Sequence, residues 1–307
     1  MPQFDRDIVI AGGGPAGLSA ALILGRARRS VLICDQGNQR NRASHAMHGF
    51  LTRDGISPAD FLKLAHDDLK KYTSVELRQV RVLNAAPFDG GFSVTIEGGG
   101  EIICKKLLLA TGVIDELPPI PGIDKYYGTS IFHCPYCDGF EHQNETWAAY
   151  GSGEKGRQLA LELLGWTDHV ILMTNGPSRL TEENFDQLKK LNITVIEDTI
   201  ARLVGDEGAL RSVRFTGGME AACTAMFFQT HRFQKSALAE KLGCNLDERG
   251  LYRTNKFEST DIAGLYVAGD ASTSLQLVVE AASSGAEAAF AINTALLREQ
   301  IKEKLSR

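Results

Sequence analysis

The residues with the most chemistry to offer lie together near the middle of the chain, in FHCPYCDGFE, residues 132–141. Cys134 and Cys137, with two residues between them, can close a small reversible disulfide ring. A thiol is a useful nucleophile only as thiolate, and a CxxC pair placed at a helix start has a lowered thiol pKa. Such a pair exchanges electrons with a partner's sulfur through a mixed disulfide. Asp138 follows directly and His133 precedes, so a carboxylate and an imidazole flank the dithiol. The stretch contains no source of electrons of its own.

The other cysteines do not supply one. Six cysteines with a single close pair are too sparse for a secreted disulfide framework, and Cys34, Cys104, Cys223 and Cys244 read as small buried hydrophobes. A zinc site needs about four ligands, and no such set accompanies the CxxC. His45-x-x-His48 has helical spacing but no third partner, so no metal is expected. A glutaredoxin-type reading of the CPYC core fails as well, because no Thr-Val-Pro follows Cys137.

A better source lies in two glycine loops. DIVIAGGGPAGLSAALILGRARRSVLICD carries Gly12-x-Gly14-Pro15-Ala16-Gly17 between an apolar strand and a helical stretch, and a second strand ends at Asp35. The glycines allow a tight turn, close approach of a pyrophosphate and close helix–strand packing. The helix N-terminus offers free N–H groups to that pyrophosphate. Asp35, 18 residues after Gly17, is placed to accept from a ribose 2′-hydroxyl. The pattern recurs at Gly151, Gly153 and Gly156, and the register is the same: 23 positions separate Gly12 from Asp35 and Gly151 from Thr174. Two such units imply two nucleotide-type domains, commonly one for flavin and one for nicotinamide. The second unit has Thr174-Asn175-Gly176 where the first has its carboxylate. A ribose hydroxyl calls for a carboxylate and a 2′-phosphate for Arg or Lys, and this tripeptide is neither. Lys155 and Arg179 are the nearby cations, so a working nicotinamide site and a scaffold that has lost one both remain open.

The frame that must position these residues fits the length. At 307 residues two domains are expected. Hydrophobic residues at 43% and charged residues at 23% are ordinary for a globular protein. A net charge of −5 gives no footprint for nucleic acid or an anionic membrane. No apolar run is long enough to cross a bilayer and the N-terminus lacks a signal-peptide pattern, so a cytoplasmic location is expected. KKLLLATG, residues 105–112, reads as a buried strand turning at Gly112. ELPPIPG, 116–122, suits a crossover between domains. GLYVAGD, 264–270, reads as a strand stopping on Gly269-Asp270, and residues 275–297 as a helix. The small residues Ala281, Ala282, Gly285 and Ala288 let that helix approach a strand or a cofactor closely.

In their order and spacing these motifs resemble the low-molecular-weight thioredoxin reductase group of FAD-dependent pyridine nucleotide-disulfide oxidoreductases, over essentially the whole chain. The resemblance implies an α/β fold of two Rossmann-like (FAD/NAD(P)-binding, three-layer ββα) domains. The FAD domain is discontinuous, residues 1–114 and 243–307, and encloses an NAD(P)-binding-like domain, 115–242, that carries the CxxC. It implies FAD as cofactor, with Gly12, Gly14, Pro15, Ala16, Gly17 and Asp35 as the first fingerprint and Thr111 and Gly112 in the crossover segment. Gly269 and Asp270 form the second flavin motif, with Gln276 near the isoalloxazine. By the same resemblance Cys137 is the flavin-proximal sulfur and Cys134 the interchange thiol. Asp138 is the acid/base, which requires a raised pKa in a partly desolvated site. His133 shares that role or is a polar neighbour.

There are departures. The group's basic NADPH signature falls on Thr174, Asn175, Gly176 and Leu180, none of them basic, and the arginine before the flavin-helix glutamine is Leu275. CDQGNQRN (34–41) and MHGFLTRDG (47–55) look like the branch holding dithiol oxidases and reductase-like flavoproteins without NADPH activity. The expected function is therefore FAD-dependent exchange between flavin and a partner dithiol or disulfide. The partner is a thioredoxin-like protein or a small molecule, and NADPH, NADH, ferredoxin and oxygen stand open as redox partners. A dithiol oxidase that forms a disulfide and passes electrons to oxygen is the alternative. The intact Cys134–Cys137–Asp138 set argues against a non-catalytic redox sensor. The resemblance implies a homodimer.

Overall fold

The structure is a computed structural model and describes residues 3–306. The chain opens with β1 (Arg6–Ala11), α1 (Pro15–Arg26), β2 (Val31–Cys34), α2 (Pro58–Leu69) and β3 (Val75–Arg78). Three strands follow, β4 (Val82–Phe88), β5 (Gly91–Ile96) and β6 (Glu101–Leu109), and β7 (Val113–Asp115) leads onward. The middle segment holds β8 (Ile131–Phe132), α3 (Pro135–Asp138), β9 (Trp147–Tyr150), α4 (Gly153–Leu163), β10 (Val170–Met173), α5 (Glu182–Lys190) and β11 (Thr194–Ile196). It ends in β12 (Ile200–Asp206), β13 (Ala209–Phe215), β14 (Glu220–Ala222) and β15 (Ala225–Phe228). The last segment is β16 (Arg232–Gln234), α6 (Leu238–Lys241), β17 (Leu265–Val267) and α7 (Val278–Leu305).

Among the described residues these elements divide into two compact units: residues 3–42, 49–114 and 232–306, and residues 43–48 with 115–231. In the first, β3, β2, β1, β6 and β17 pair in parallel, and β6 continues antiparallel into β5 and then β4. Strands buried on both faces read as unbroken apolar runs, and β1 and β2 do so through Ile8-Val9-Ile10 and Val31-Leu32-Ile33. Alternation then sorts the side chains. Ile8, Ile10, Val31, Ile33 and Leu108 pack with helices α1 and α7, while Val9, Ala11, Leu32, Leu107 and Leu109 pack with Phe92 and Val94 of the meander. Helices, parallel sheet and meander are the three layers.

The second unit repeats the plan. Strands β11, β10, β9, β15 and β8 form a parallel sheet, and β12, β13 and β14 an antiparallel meander. Trp147, Ala149, Leu172 and Phe227 face α4 and α5; Ala148, Met173, Met226 and Phe228 face the meander residues Leu203, Val213 and Phe215. Thr181 caps α5 by accepting from the Asn184 N–H at 3.2 Å.

Three sequence expectations are corrected. Residues 232–242, expected with the second domain, pack with the first, because Leu238 and Ala239 are buried in its core. The final helix starts at Val278 rather than 275, and it continues through REQIKEKL, built of strong helix formers, to Leu305 rather than 297. His45 and His48 do not lie on a helix.

Candidate active site

Cys134 leaves β8 in an extended conformation and caps α3, and it is disulfide-bonded to Cys137, Cα to Cα 5.3 Å. That helix is a single turn, Pro135–Asp138. Such a turn cannot lower a thiol pKa as a full helix start would, because it aligns too few peptide dipoles. What fixes the turn is packing. An added Cβ on Gly139 would lie 2.5 Å from the Pro135 carbonyl oxygen and 3.1 Å from the Trp166 indole, so only glycine fits after Asp138. Trp166 in turn stacks on the buried Trp147 and meets the Tyr136 ring edge-on at 5.2 Å. The dithiol turn is thus mounted on aromatic side chains of the unit's own core, while Tyr136 itself stays 74% exposed.

Asp138 is the most perturbed acid in this neighbourhood. Burial pushes its carboxyl from 3.8 up to about 7, a nearby His48 pulls it down, and Glu141 pushes it up. His48 and Glu141 approach each other at 3.4 Å (Nε2 to Oε1). His133 is engaged differently: its Nδ1 lies 3.1 Å from the Tyr127 hydroxyl, and Tyr127 also reaches Asp115 Oδ2 at 3.4 Å. Sequence reasoning singled out Asp138 and His133 but missed Glu141, and it weighed His48 only as a metal ligand. Among the described residues no cluster could hold a metal ion. Burial raises the thiols of Cys34 to about 11 and of Cys104 and Cys223 to about 12, which keeps them protonated and inert.

The first glycine loop is shaped as a cradle. Gly12 has φ +113°, and a Cβ there would meet the Ala110 carbonyl oxygen at 2.2 Å; a Cβ on Gly17 would meet the Gly12 oxygen at 1.9 Å. Around Gly14 the space is open. Helix α1 starts with Pro15, which spends no N–H, and no side chain caps it, so the Ala16 and Gly17 N–H groups stay available to an anion. Asp35 lies against Gly13 and accepts from Gln39 Nε2 at 2.9 Å. Thr111 and Gly112 follow β6, where Gly112 takes φ +68°. At the end of β17, Gly269 donates its N–H to Ser284 Oγ at 2.8 Å. Arg40 forms a 2.9 Å ion pair with Asp270 and a hydrogen bond to Gln276 Oε1. It therefore joins two residues the sequence assigned to the flavin, a role no local motif announces. The small-residue face of α7 has its explanation here too: Gly285 packs so tightly on α1 that a Cβ would lie 2.0 Å from the Ala16 oxygen. The open backbone donors, the glycine-shaped turn and a cation beside Asp270 together fit a dinucleotide cofactor.

At the second loop, Gly151 follows β9, Gly153 opens α4 and Gly156 lies in its first turn. Thr174 is buried; Asn175 (φ +51°) and Gly176 (φ +126°) turn the chain back beneath it. Lys155 and Arg179 are exposed.

A dithiol turn in one α/β unit and a dinucleotide cradle in another define an FAD-dependent disulfide oxidoreductase with two Rossmann-like domains. The chain belongs to the pyridine nucleotide-disulphide oxidoreductase family, whose model matches residues 6–285. Thioredoxin reductase tcpT of Claviceps purpurea is 30% identical over 95% of each chain. Among solved structures, TrxB of Bacillus anthracis superposes with a TM-score of 0.91 at 34% identity, covering 96% of this chain and 99% of that one. HlmI gives a TM-score of 0.92 at 33% identity, covering 98% and 95%. The family's cofactor is FAD and its electron donor a pyridine nucleotide. Among the described residues no helix is long and apolar enough to cross a membrane.

Proposed function

We propose that the protein exchanges electrons between bound FAD and a partner dithiol or disulfide through Cys134 and Cys137, with Asp138 as the acid/base. The observation that carries this reading is a carboxyl beside the disulfide whose burial brings it to about 7, where it can both give and take a proton. In the direction of dithiol oxidation, a partner thiolate attacks Cys134 Sγ and the Cys134–Cys137 bond breaks. Cys137 leaves with the electron pair, and Asp138 supplies its proton. The partner's second thiol gives its proton to Asp138, attacks its own sulfur in the mixed disulfide, and releases Cys134 as thiolate. The partner departs as a disulfide, and the enzyme holds two electrons as a dithiol. FAD, when bound, supplies the two-electron acceptor or donor that returns the pair to its starting state.

In this reading Gly12, Gly14, Pro15, Ala16, Gly17, Asp35, Thr111, Gly112, Gly269, Asp270 and Gln276 hold the flavin, with Arg40 added to them. The partner is a thioredoxin-like protein or a small-molecule dithiol, the protein is a homodimer, and a cytoplasmic location suits its reduced, buried cysteines. A second reading, a dithiol oxidase with oxygen as acceptor, uses the same residues and draws support from the non-basic Thr174-Asn175-Gly176. Anaerobic titration of the flavoprotein with dithiothreitol, NADPH and NADH tests both. Bleaching by dithiothreitol that survives in Cys137→Ser would overturn the assignment of the pair. Bleaching by neither nucleotide, followed by rapid reoxidation in air, would favour the oxidase.

A further inference from the structure

The second glycine loop carries a feature its spacing does not reveal. The first N–H groups of α4 are the donors that a dinucleotide's pyrophosphate would take. The first of them, on Gly153, is already used: it donates to the Ser178 carbonyl oxygen at 2.7 Å. Ser178 is buried, and its own N–H donates to Glu197 Oε1 at 2.7 Å. The turn leading to it is pinned at each step. Thr174 Oγ1 donates to the Gly176 carbonyl at 2.5 Å and to the Ile196 carbonyl at 3.2 Å, and Asn175 Oδ1 accepts the Ile200 N–H at 2.8 Å. The positions where the related signature is basic are thus spent on closing the loop, and Leu180 packs against the core.

We infer that residues 174–180, latched by Ser178 to Glu197, are a built-in plug that stands in for a pyrophosphate and keeps pyridine nucleotides from the second glycine loop. The inference deepens the question of electron donor left by the proposed function and rests on that reading only for its consequence. A neutral carbonyl satisfies the Gly153 donor at no cost in desolvated charge. A nucleotide must break that bond and release the turn before it gains any of its own. It then brings its phosphates toward Glu197, whose carboxyl the Ser178 N–H and hydroxyl hold below the usual carboxylate range, so that it stays charged at neutral pH. Lys155 and Arg179 remain exposed and offer little in return. Replacing the missing arginines would not by itself create a site, because the Gly153 donor stays taken by Ser178.

The test uses the flavin-loaded protein and reads equilibrium binding of NADPH and NADH by calorimetry, together with amide exchange at Gly153. The wild type is expected to bind both nucleotides weakly with the Gly153 amide protected. Glu197→Ala should unprotect Gly153 and tighten both nucleotides by about tenfold or more, the scale of one charge-assisted hydrogen bond. Glu197→Gln keeps an acceptor for Ser178 and should stay close to wild type. Tight binding to the wild type with Gly153 still protected would overturn the inference. So would a Glu197→Gln protein that binds as well as Glu197→Ala, which would make charge alone the barrier, or a Glu197→Ala protein that exposes Gly153 and still binds nothing. If Glu197→Ala does not fold, fast exchange at Gly153 in the wild type is the overturning result and slow exchange the supporting one. Flavin bleaching by dithiothreitol, measured on the same samples, reports separately on the dithiol assignment.

Discussion

Gly14 and Gly153 hold the same place in two loops of the same spacing, and their N–H groups meet different fates. Among the described residues the Gly14 N–H has no protein acceptor, while that of Gly153 is taken by Ser178. The glycines around them solve one steric problem twice, since Gly17 and Gly156 each lie too close to a preceding backbone oxygen to bear a Cβ. What differs is the segment after the second strand of each unit. In the first it supplies Asp35, Gln39 and Arg40, the last reaching Asp270. In the second it folds back on the loop. A glycine pattern therefore encodes the turn, and the segment facing it decides whether the turn serves a ligand. One unit keeps its cradle open; the other has closed it and carries the dithiol.

That division can be broken most sharply at the matched glycines. Gly17→Ala should yield protein purified without flavin, because the new methyl forces the α1 N-terminus away from Gly12. Gly156→Ala should retain flavin and lose about 1–3 kcal/mol of the second unit's stability, read by chemical denaturation. Equal loss of flavin in both variants would refute the division. Next in size, Asp138→Asn should slow single-turnover reduction of the Cys134–Cys137 disulfide by about 100-fold and remove the titration near 7 from its pH profile.

The same residue has a stability signature. A carboxyl whose folded pKa is raised from 3.8 to about 7 favours the fold fully below the ordinary value, and that contribution is lost as pH rises through about 7. Asp138→Asn should therefore gain in melting temperature relative to wild type as pH goes from about 5 to about 9. Smaller again, Gly285→Ala should cost about 1–3 kcal/mol, against the usual gain from Ala in a helix, because Ala16 leaves no room. The finest effect is a pair of opposite shifts. His48→Gln should move the Asp138 titration upward and Glu141→Gln downward, both followed in the pH profile; movement in one direction would unseat the assignment of this cluster.

Local spacing made much of this visible. The two glycine loops, Asp35, the CxxC and Asp138 are all read within short stretches, where strand, turn and helix follow each other directly. Arg40, His48 and Glu141 were not readable, because the partners of the first two lie in distant segments and Glu141 looks like any surface acid. The plug was half legible: Thr174-Asn175-Gly176 offered neither a carboxylate nor a cation, but nothing in the tripeptide says that Ser178 turns back onto Gly153. The close-packed face of α7 was evident from its small residues, and its partner, α1, was not.

The excursion of residues 43–48 into the second unit makes the dithiol chemistry non-modular. A fragment spanning 115–231 would carry Cys134, Cys137, Asp138 and Glu141 but leave His48 behind, together with Ala43, whose backbone fills the space beside Gly128. Swapping that fragment into another scaffold, or losing it by recombination, would transfer the nucleophile without one of the charges that tune its acid. Gene exchange moves the nucleophile together with the His48 influence on its acid only when both chain segments travel together.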